Sequence, residues 1–158
     1  MNVKKIITVT KSIDCDIFGA TLLTTEEAKQ LPQEILTTVA DNWWLRSPGI
    51  SNENAACVFG KHGYVHPYGD CADKEFGVRP AITFVSSDLE VGDKFITFGY
   101  EWTVVFPNKA LCDDVIGYSA FRKDWQMPDA NDYEKSDIKK YIDSWFTYEY
   151  YDREDDAE

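Results

Sequence analysis

The chain has 158 residues, 44% hydrophobic and 15% aromatic, and 16 basic against 28 acidic side chains give it a formal net charge of −12. The apolar share excludes a wholly disordered chain and is enough for the core of one domain. The acidic field repels phosphate backbones and anionic bilayers, so no direct nucleic-acid or membrane binding is expected; it favours a protein partner with a basic surface, solubility being its plainer use.

Lys4–Thr10 is rich in β-branched residues and reads as a strand, and Ile17–Leu23 reads as a second. Thr24 with Glu27 three residues on fits a capping box, and Pro32 divides the stretch from Thr25 to Val39 into two short helices. From Asn42 to Phe84 the pattern is short strands between turns. The strands are expected at Trp43–Leu45, Ala55–Phe59, Tyr64–His66 and Val78–Phe84. The turns fall at Ser47-Pro48-Gly49, Gly60–Gly63 and Pro67-Tyr68-Gly69-Asp70. Ser86–Glu90 is a polar junction. Beyond it, Lys94–Phe98 and Glu101–Phe106 resemble a hairpin turning at Gly99-Tyr100, with a further strand at Ala110–Ile116. Ser136-Asp137 opens the clearest helix: Ile138, Tyr141, Ile142 and Trp145 form one apolar stripe. The stretch 149–158 has six acidic residues in ten and is expected to be disordered.

Cys15, Cys57, Cys71 and Cys112 are widely separated, no CxxC occurs, and His62 and His66 are the two histidines. Zinc sites of the finger type need paired ligands at short spacing, so no metal and no cofactor is expected. The N-terminus lacks an apolar run and a cleavage site, and no apolar run is long enough for a bilayer. The cysteines therefore read as reduced thiols in a cytoplasmic protein.

The segment Trp43-Trp44-Leu45-Arg46-Ser47-Pro48-Gly49, with Gly77-Val78-Arg79-Pro80-Ala81 downstream, resembles a bacterial and phage domain family of unknown function. Leu22–Ala28 looks like that family's segment before its helix. Phe98–Val105 and Ser136–Ile142 resemble its opening strands and the helix after them, in exchanged order, as a circular permutation would leave them. The resemblance implies an α+β, C-type-lectin-like fold of short twisted antiparallel strands and two or three helices. A single domain over 1–148 is expected, its halves at about 1–85 and 90–148. Sulfatase-activating relatives of that fold use a cysteine pair, and none here aligns with it. The lectin sugar-binding tripeptides are absent too, which disfavours a calcium-bridged sugar site.

Adjacent tryptophans on a strand face opposite ways, so Trp43 and Trp44 are expected to fill separate halves of the core. Arg46 and Arg79 are expected to serve turn carbonyls or buried carboxylates, with an anionic ligand as the alternative. No catalytic residue is assigned; Cys57 chemistry remains a remote exception that would need a nearby base. For partner binding the candidates are Tyr64, His66, Tyr68 and Asp70, with Asn52 and Asn54 in the loop before them. The favoured function is a non-enzymatic interaction module. The alternative is an acidic phage counter-defence inhibitor of a nucleic-acid-binding protein, using Asp129, Asp132, Asp152, Glu154, Asp155 and Asp156. A formylglycine-generating type of enzyme is a remote third. Phe121, Trp125 and Met127 mark another apolar loop, to be judged by its exposure.

Overall fold

A computed structural model describes residues 13–152. The strand expected at Lys4–Thr10 and residues 153–158 of the acidic stretch lie outside them. The fold is mixed α+β, with two five-stranded sheets among the described residues. Its strands are β1 (Asp16–Thr21), β2 (Asn42–Pro48), β3 (Asn54–Phe59), β4 (Tyr64–Cys71), β5 (Glu75–Val78), β6 (Ala81–Val85), β7 (Lys94–Thr97), β8 (Tyr100–Phe106), β9 (Lys109–Cys112) and β10 (Gly117–Ala120). The first sheet runs β1-β6-β9-β8-β7 and the second β10-β5-β2-β3-β4. Each sheet thus takes strands from both sides of the 86–90 junction. Pairing is antiparallel except for one parallel contact, where Trp43 of β2 faces Gly77 of β5.

Two short helices come after β1: α1 (Thr25–Lys29) and α2 (Gln33–Leu36). The Thr24 hydroxyl accepts from Glu27 N, and Glu27 Oε1 accepts from Thr24 N at 2.9 Å, closing the expected capping box. Pro32 stands at the N-cap of α2, where its missing amide hydrogen costs nothing. The other oxygen of Glu27 accepts from Lys109 Nζ on β9 at 2.6 Å, tying α1 to the first sheet. Burial tends to raise this carboxyl's pKa, but the Lys109 and Thr24 hydrogen bonds prevail and hold it below the ordinary glutamate value. A depressed folded-state pKa means stability that is present at neutral pH and lost as pH falls through the carboxylate range. Glu27→Gln is expected to cost about 1 kcal/mol at pH 7 and to flatten the acid limb of stability, read from urea midpoints between about pH 3 and 7.

Four expectations change in the structure. The strand foreseen over Val78–Phe84 is two strands in different sheets, because Pro80 donates no hydrogen bond and the chain crosses from one sheet to the other at Arg79-Pro80. The turn foreseen at Pro67–Asp70 is instead the continuation of β4. Pro67 is tolerated there because β4 is an edge strand, and Gly69 at φ +82° absorbs an irregularity where the β3–β4 register shifts. The β7–β8 hairpin turns one residue earlier than foreseen, at Phe98-Gly99. Both residues have positive φ (54° and 79°), the backbone of a type I′ turn. A phenylalanine is strained there; its ring packs edge-on against Trp102, Trp145 and Phe146 at 5.8–6.5 Å, which offsets the strain. Finally, the strand foreseen at Ala110–Ile116 stops at Cys112, and Gly117–Ala120 forms β10 against β5.

Among the described residues the core has three buried clusters set by these layers. Trp43, Leu45, Ala56 and Val58 face α1, α2 and the inner side of the first sheet through Leu23, Leu36, Ala81 and Leu111. On the other side of the second sheet, Trp44, Cys57 and Val78 meet Phe121, Tyr133, Ile138 and Ile142. The outer side of the first sheet holds Ile82, Phe84, Trp102 and Val104, with Trp145 against them. Both tandem indoles are fully buried, one in each of the first two clusters, as alternation on a strand dictates. The helix α3 (Asp137–Thr147) is capped by Ser136, whose hydroxyl accepts from Lys139 N at 3.0 Å, and Ile138 and Ile142 are its buried positions. A π-helical turn, Tyr148–Asp152, continues it. No helix among the described residues is long and apolar enough to cross a membrane.

Arg79 is the most unusual core residue: its side chain is wholly buried between the two sheets' junction and α2. Its Nε donates to Cys112 O at 2.6 Å and Nη1 to Ile35 O at 2.7 Å, and the guanidinium lies 4.8 Å from the Trp43 ring. Burial pushes its pKa down to about 10, with Asp113 opposing, so the cation persists at neutral pH. It serves main-chain carbonyls, as the Pro-flanked position suggested. Arg46 is less buried: Nη1 donates to Thr21 Oγ1, Nη2 lies 3.5 Å from Glu134, and the group stacks on Tyr133.

Candidate functional site

Period-two geometry places Tyr64, His66 and Tyr68 on one face of β4, an edge strand. In the register with β3, Tyr64 pairs with Phe59 and His66 with Cys57. The hairpin between them turns at Gly63, φ +65°, where an added Cβ would lie 1.8 Å from Gln33 Oε1 of α2. Folding the hairpin on α2 in this way stacks four rings in a row. Phe59 lies 6.0 Å from Tyr64 and 4.9 Å from His66; Tyr64 and His66 are 5.7 Å apart; Tyr68 meets His66 edge-on at 6.4 Å.

Phe59 packs on the Trp44 cluster, so the row runs from buried core to open surface. Tyr64 is 51% and Tyr68 60% exposed. His66 is half-buried, with Nδ1 enclosed and unbonded among the described residues. The adjoining loop is pinned rather than loose. Ile50 N donates to Tyr68 O at 2.8 Å and Gly49 N to Asn54 O at 2.7 Å, and an added Cβ at Gly49 would stand 2.3 Å from Tyr68 O. This holds Ile50, 70% exposed, beside Tyr68. Asn131 Nδ2 donates to Ser51 O at 3.0 Å, fastening the same loop from its far side.

The structure therefore brings together Tyr64, His66 and Tyr68, with the loop of Asn52 and Asn54 alongside. Asn52 is exposed at the loop tip and Asn54 is half-buried opposite Cys71. Asp70 is engaged locally: its Oδ1 accepts from Cys71 N and pairs with Lys74, both at 2.9 Å. His62 sits in the turn before β4, within the turn expected at Gly60–Gly63. Sequence reasoning missed Phe59 and Ile50. Phe59 was findable, since it alternates with Cys57 across a hairpin whose second strand carries Tyr64 and His66. Ile50 became visible only once the loop was seen bonded to Tyr68.

The other candidates are dispersed. Asp129 lies 3.4 Å from both Arg122 and Lys135, and Asp132 caps a 3₁₀ turn, Tyr133–Lys135, by accepting from Glu134 N. Glu154, Asp155 and Asp156, with the side chain of Asp152, lie outside the described residues. In the loop after β10, Phe121 is buried, Trp125 half-buried and Met127 exposed.

Cys57 stands opposite His66 in the β3–β4 register. Its thiol is pushed up to about 12, chiefly by burial and then by Asp70, which keeps it protonated at neutral pH. The thiols of Cys15, Cys71 and Cys112 are also raised, each chiefly by burial. All four are free. Among the described residues no three His, Cys, Asp or Glu side chains converge as metal ligands would. The half-buried Lys94–Thr103–Asp113 group is satisfied internally: Lys94 donates to both partners and Thr103 donates to Asp113 at 2.6 Å. What the β4 edge offers is a stiff, amphipathic contact surface.

No curated protein and no solved structure matches the chain. Residues 9–86, which carry β1 to β6, the tandem tryptophans and the ring row, match the family model described as Domain of unknown function (DUF6273).

Proposed function

We propose that this chain is a non-enzymatic protein-binding module that grips a partner through the row Phe59, Tyr64, His66 and Tyr68, with Ile50 at its end. One observation carries the reading: Tyr64 and Tyr68 stand more than half exposed while stacked on rings continuous with the core. Rings held in place lose little conformational freedom on binding, and each presents apolar area with a polar tip. Exposed Glu53, in the loop that carries Ile50, and exposed Asp73, just past the end of β4, suit a partner with a basic rim. We read the scaffold as C-type-lectin-like with its halves in exchanged order, on the strength of the WWLRSP and GVRPA segments. The inhibitor alternative gains nothing from Asp129 and Asp132, whose carboxylates already serve intrachain contacts.

The test is a triple variant, Tyr64→Ala, His66→Ala and Tyr68→Ala, compared with the parent chain in affinity capture from the encoding cell. Loss of the captured partner by about 30-fold or more is expected, as for an interface whose central aromatics are removed, while the unfolding free energy from urea titration falls by about 1 kcal/mol or less. Undiminished capture by a folded triple variant eliminates the row. Capture that vanishes in both chains at about 0.5 M salt transfers the weight to the charge-driven alternative.

A further inference from the structure

At the opposite edge of the second sheet from β4, the strand β10 and the helix α3 enclose an open groove of about 610 Å³, within the range of small-molecule sites. Lys140, Tyr141, Ser144, Trp145 and Tyr148 recur at three- and four-residue steps along one flank of α3 and its extension. Ser119 of β10 and Lys123 of the next loop form the facing wall. Tyr141 and Trp145 are half-buried and supply a fixed apolar floor; Tyr148 stands open at the end. Trp145 is held edge-on to Phe98 at 5.9 Å and tilted on Trp102 at 6.2 Å, so its orientation is set by the core behind it.

Among the described lysines, Lys29, Lys74, Lys94, Lys109, Lys135 and Lys139 are held in ion pairs. Lys61, Lys123 and Lys140 form none among the described residues, and the last two both line this groove, though the chain carries a net charge of −12. Lys139, the neighbour of Lys140, turns to Asp143 at 2.7 Å instead. The groove lining also holds the carboxylate of Asp137, whose Oδ2 accepts from Lys123 N at 2.6 Å at the positive end of α3; with Lys123 and Lys140 this leaves the lining one positive charge in excess.

We propose that this groove is a binding site for a small ring-bearing anion. Its carboxylate or phosphate lies against Lys123 and Lys140, its ring stacks on Trp145 and Tyr148, and Ser119 and Ser144 offer hydroxyls to its polar edge. The apolar floor alone would take any flat ligand; the two ammonium groups, in excess over the single carboxylate of the lining, select an anionic one. Nothing in this site depends on the β4 row.

Chemical-shift titration of the whole chain tests it, with AMP and indole-3-acetate as phosphate and carboxylate probes, adenosine and 3-methylindole as their uncharged counterparts, and hexaglutamate as an acidic polypeptide. Saturable shifts are expected at the Trp145 indole and the Lys123 and Lys140 amides, with the uncharged probes weaker by about 10-fold or more. Whichever of AMP and indole-3-acetate binds tighter identifies the anionic group. The double variant Lys123→Gln, Lys140→Gln changes exposed side chains only, and it should lose about 10-fold in affinity for the anions and little for the uncharged probes. Equal binding of charged and uncharged probes, an unaffected double variant, or no saturation by about 10 mM overturns the assignment. Hexaglutamate outcompeting both small anions overturns it as well, in favour of a polypeptide groove.

Discussion

Arg79→Ala lowers the stability of the fold by about 3–5 kcal/mol, a large share of what a domain of this size ordinarily has. The substitution takes the Arg79 donors from two carbonyls: Cys112 O loses its 2.6 Å partner at a cost of about 1–3 kcal/mol, while Ile35 O keeps only the longer bond from Thr38 N at 3.3 Å. It also opens a cavity beside the Trp43 ring, on which the guanidinium now lies. Arg79→Met separates these contributions. It fills most of the space and removes a desolvated charge, but it leaves Cys112 O without the arginine donor and Ile35 O with Thr38 N alone, so a loss of about 1–3 kcal/mol is expected. Urea midpoints monitored by tryptophan fluorescence measure both. A fall of under about 1 kcal/mol in Arg79→Ala would mean that the arginine does not pin α2 to β9.

The tandem indoles give the second large effect, and an asymmetric one. Trp44→Ala is expected to cost about 3–5 kcal/mol, the range for deleting a fully buried aromatic. Trp44 stacks at 4.5 Å on Phe76, meets Phe121 at 5.7 Å, and donates Nε1 to Ser119 O at 2.9 Å. Trp43 is equally buried, yet its Nε1 has no acceptor among the described residues. Replacing each with phenylalanine exposes the difference. Trp44→Phe leaves Ser119 O without its donor, whereas Trp43→Phe removes a buried donor that had no partner. Trp44→Phe should therefore be the worse of the two by about 1 kcal/mol. The reverse ranking would show that the Trp44–Ser119 bond contributes nothing to holding β10 in place.

Much of this fold is written in local chemistry. Thr24 and Glu27 announced a helix start, Pro32 announced the break between two short helices, and Ser136 with its apolar stripe announced α3, because caps and periodicity act within a few residues. The tandem tryptophans told which faces of β2 are buried for the same reason. The misread elements depend on distant partners. Pro67 and Gly69 look like turn residues, and only the edge position of β4 makes them strand residues. Gly117–Ala120 has no pattern of its own and becomes a strand by lying against β5. For the candidate surface, alternation along β4 was legible and gave Tyr64, His66 and Tyr68 their common face. The contribution of Phe59 required the register between two strands, and the seat of Ile50 required a loop carbonyl bond that no spacing rule encodes. The α3–β10 groove escaped sequence reasoning altogether, since unpaired lysines are recognised only when their neighbours are known.

The interleaving of the two sheets has a bearing on how this polypeptide is made and divided. When β6 leaves the ribosome, only β1 of its two flanking strands exists; β9, which must lie between β6 and β8, arrives some two dozen residues later. The stretch matched by the family model likewise ends at β6 and so, in this chain, stops at an unclosed sheet. Such long-range closure makes for slow folding and leaves an apolar seam transiently bare. Cutting at the 86–90 junction accordingly yields fragments that need each other, and two separately expressed pieces should regain native tryptophan emission only on mixing.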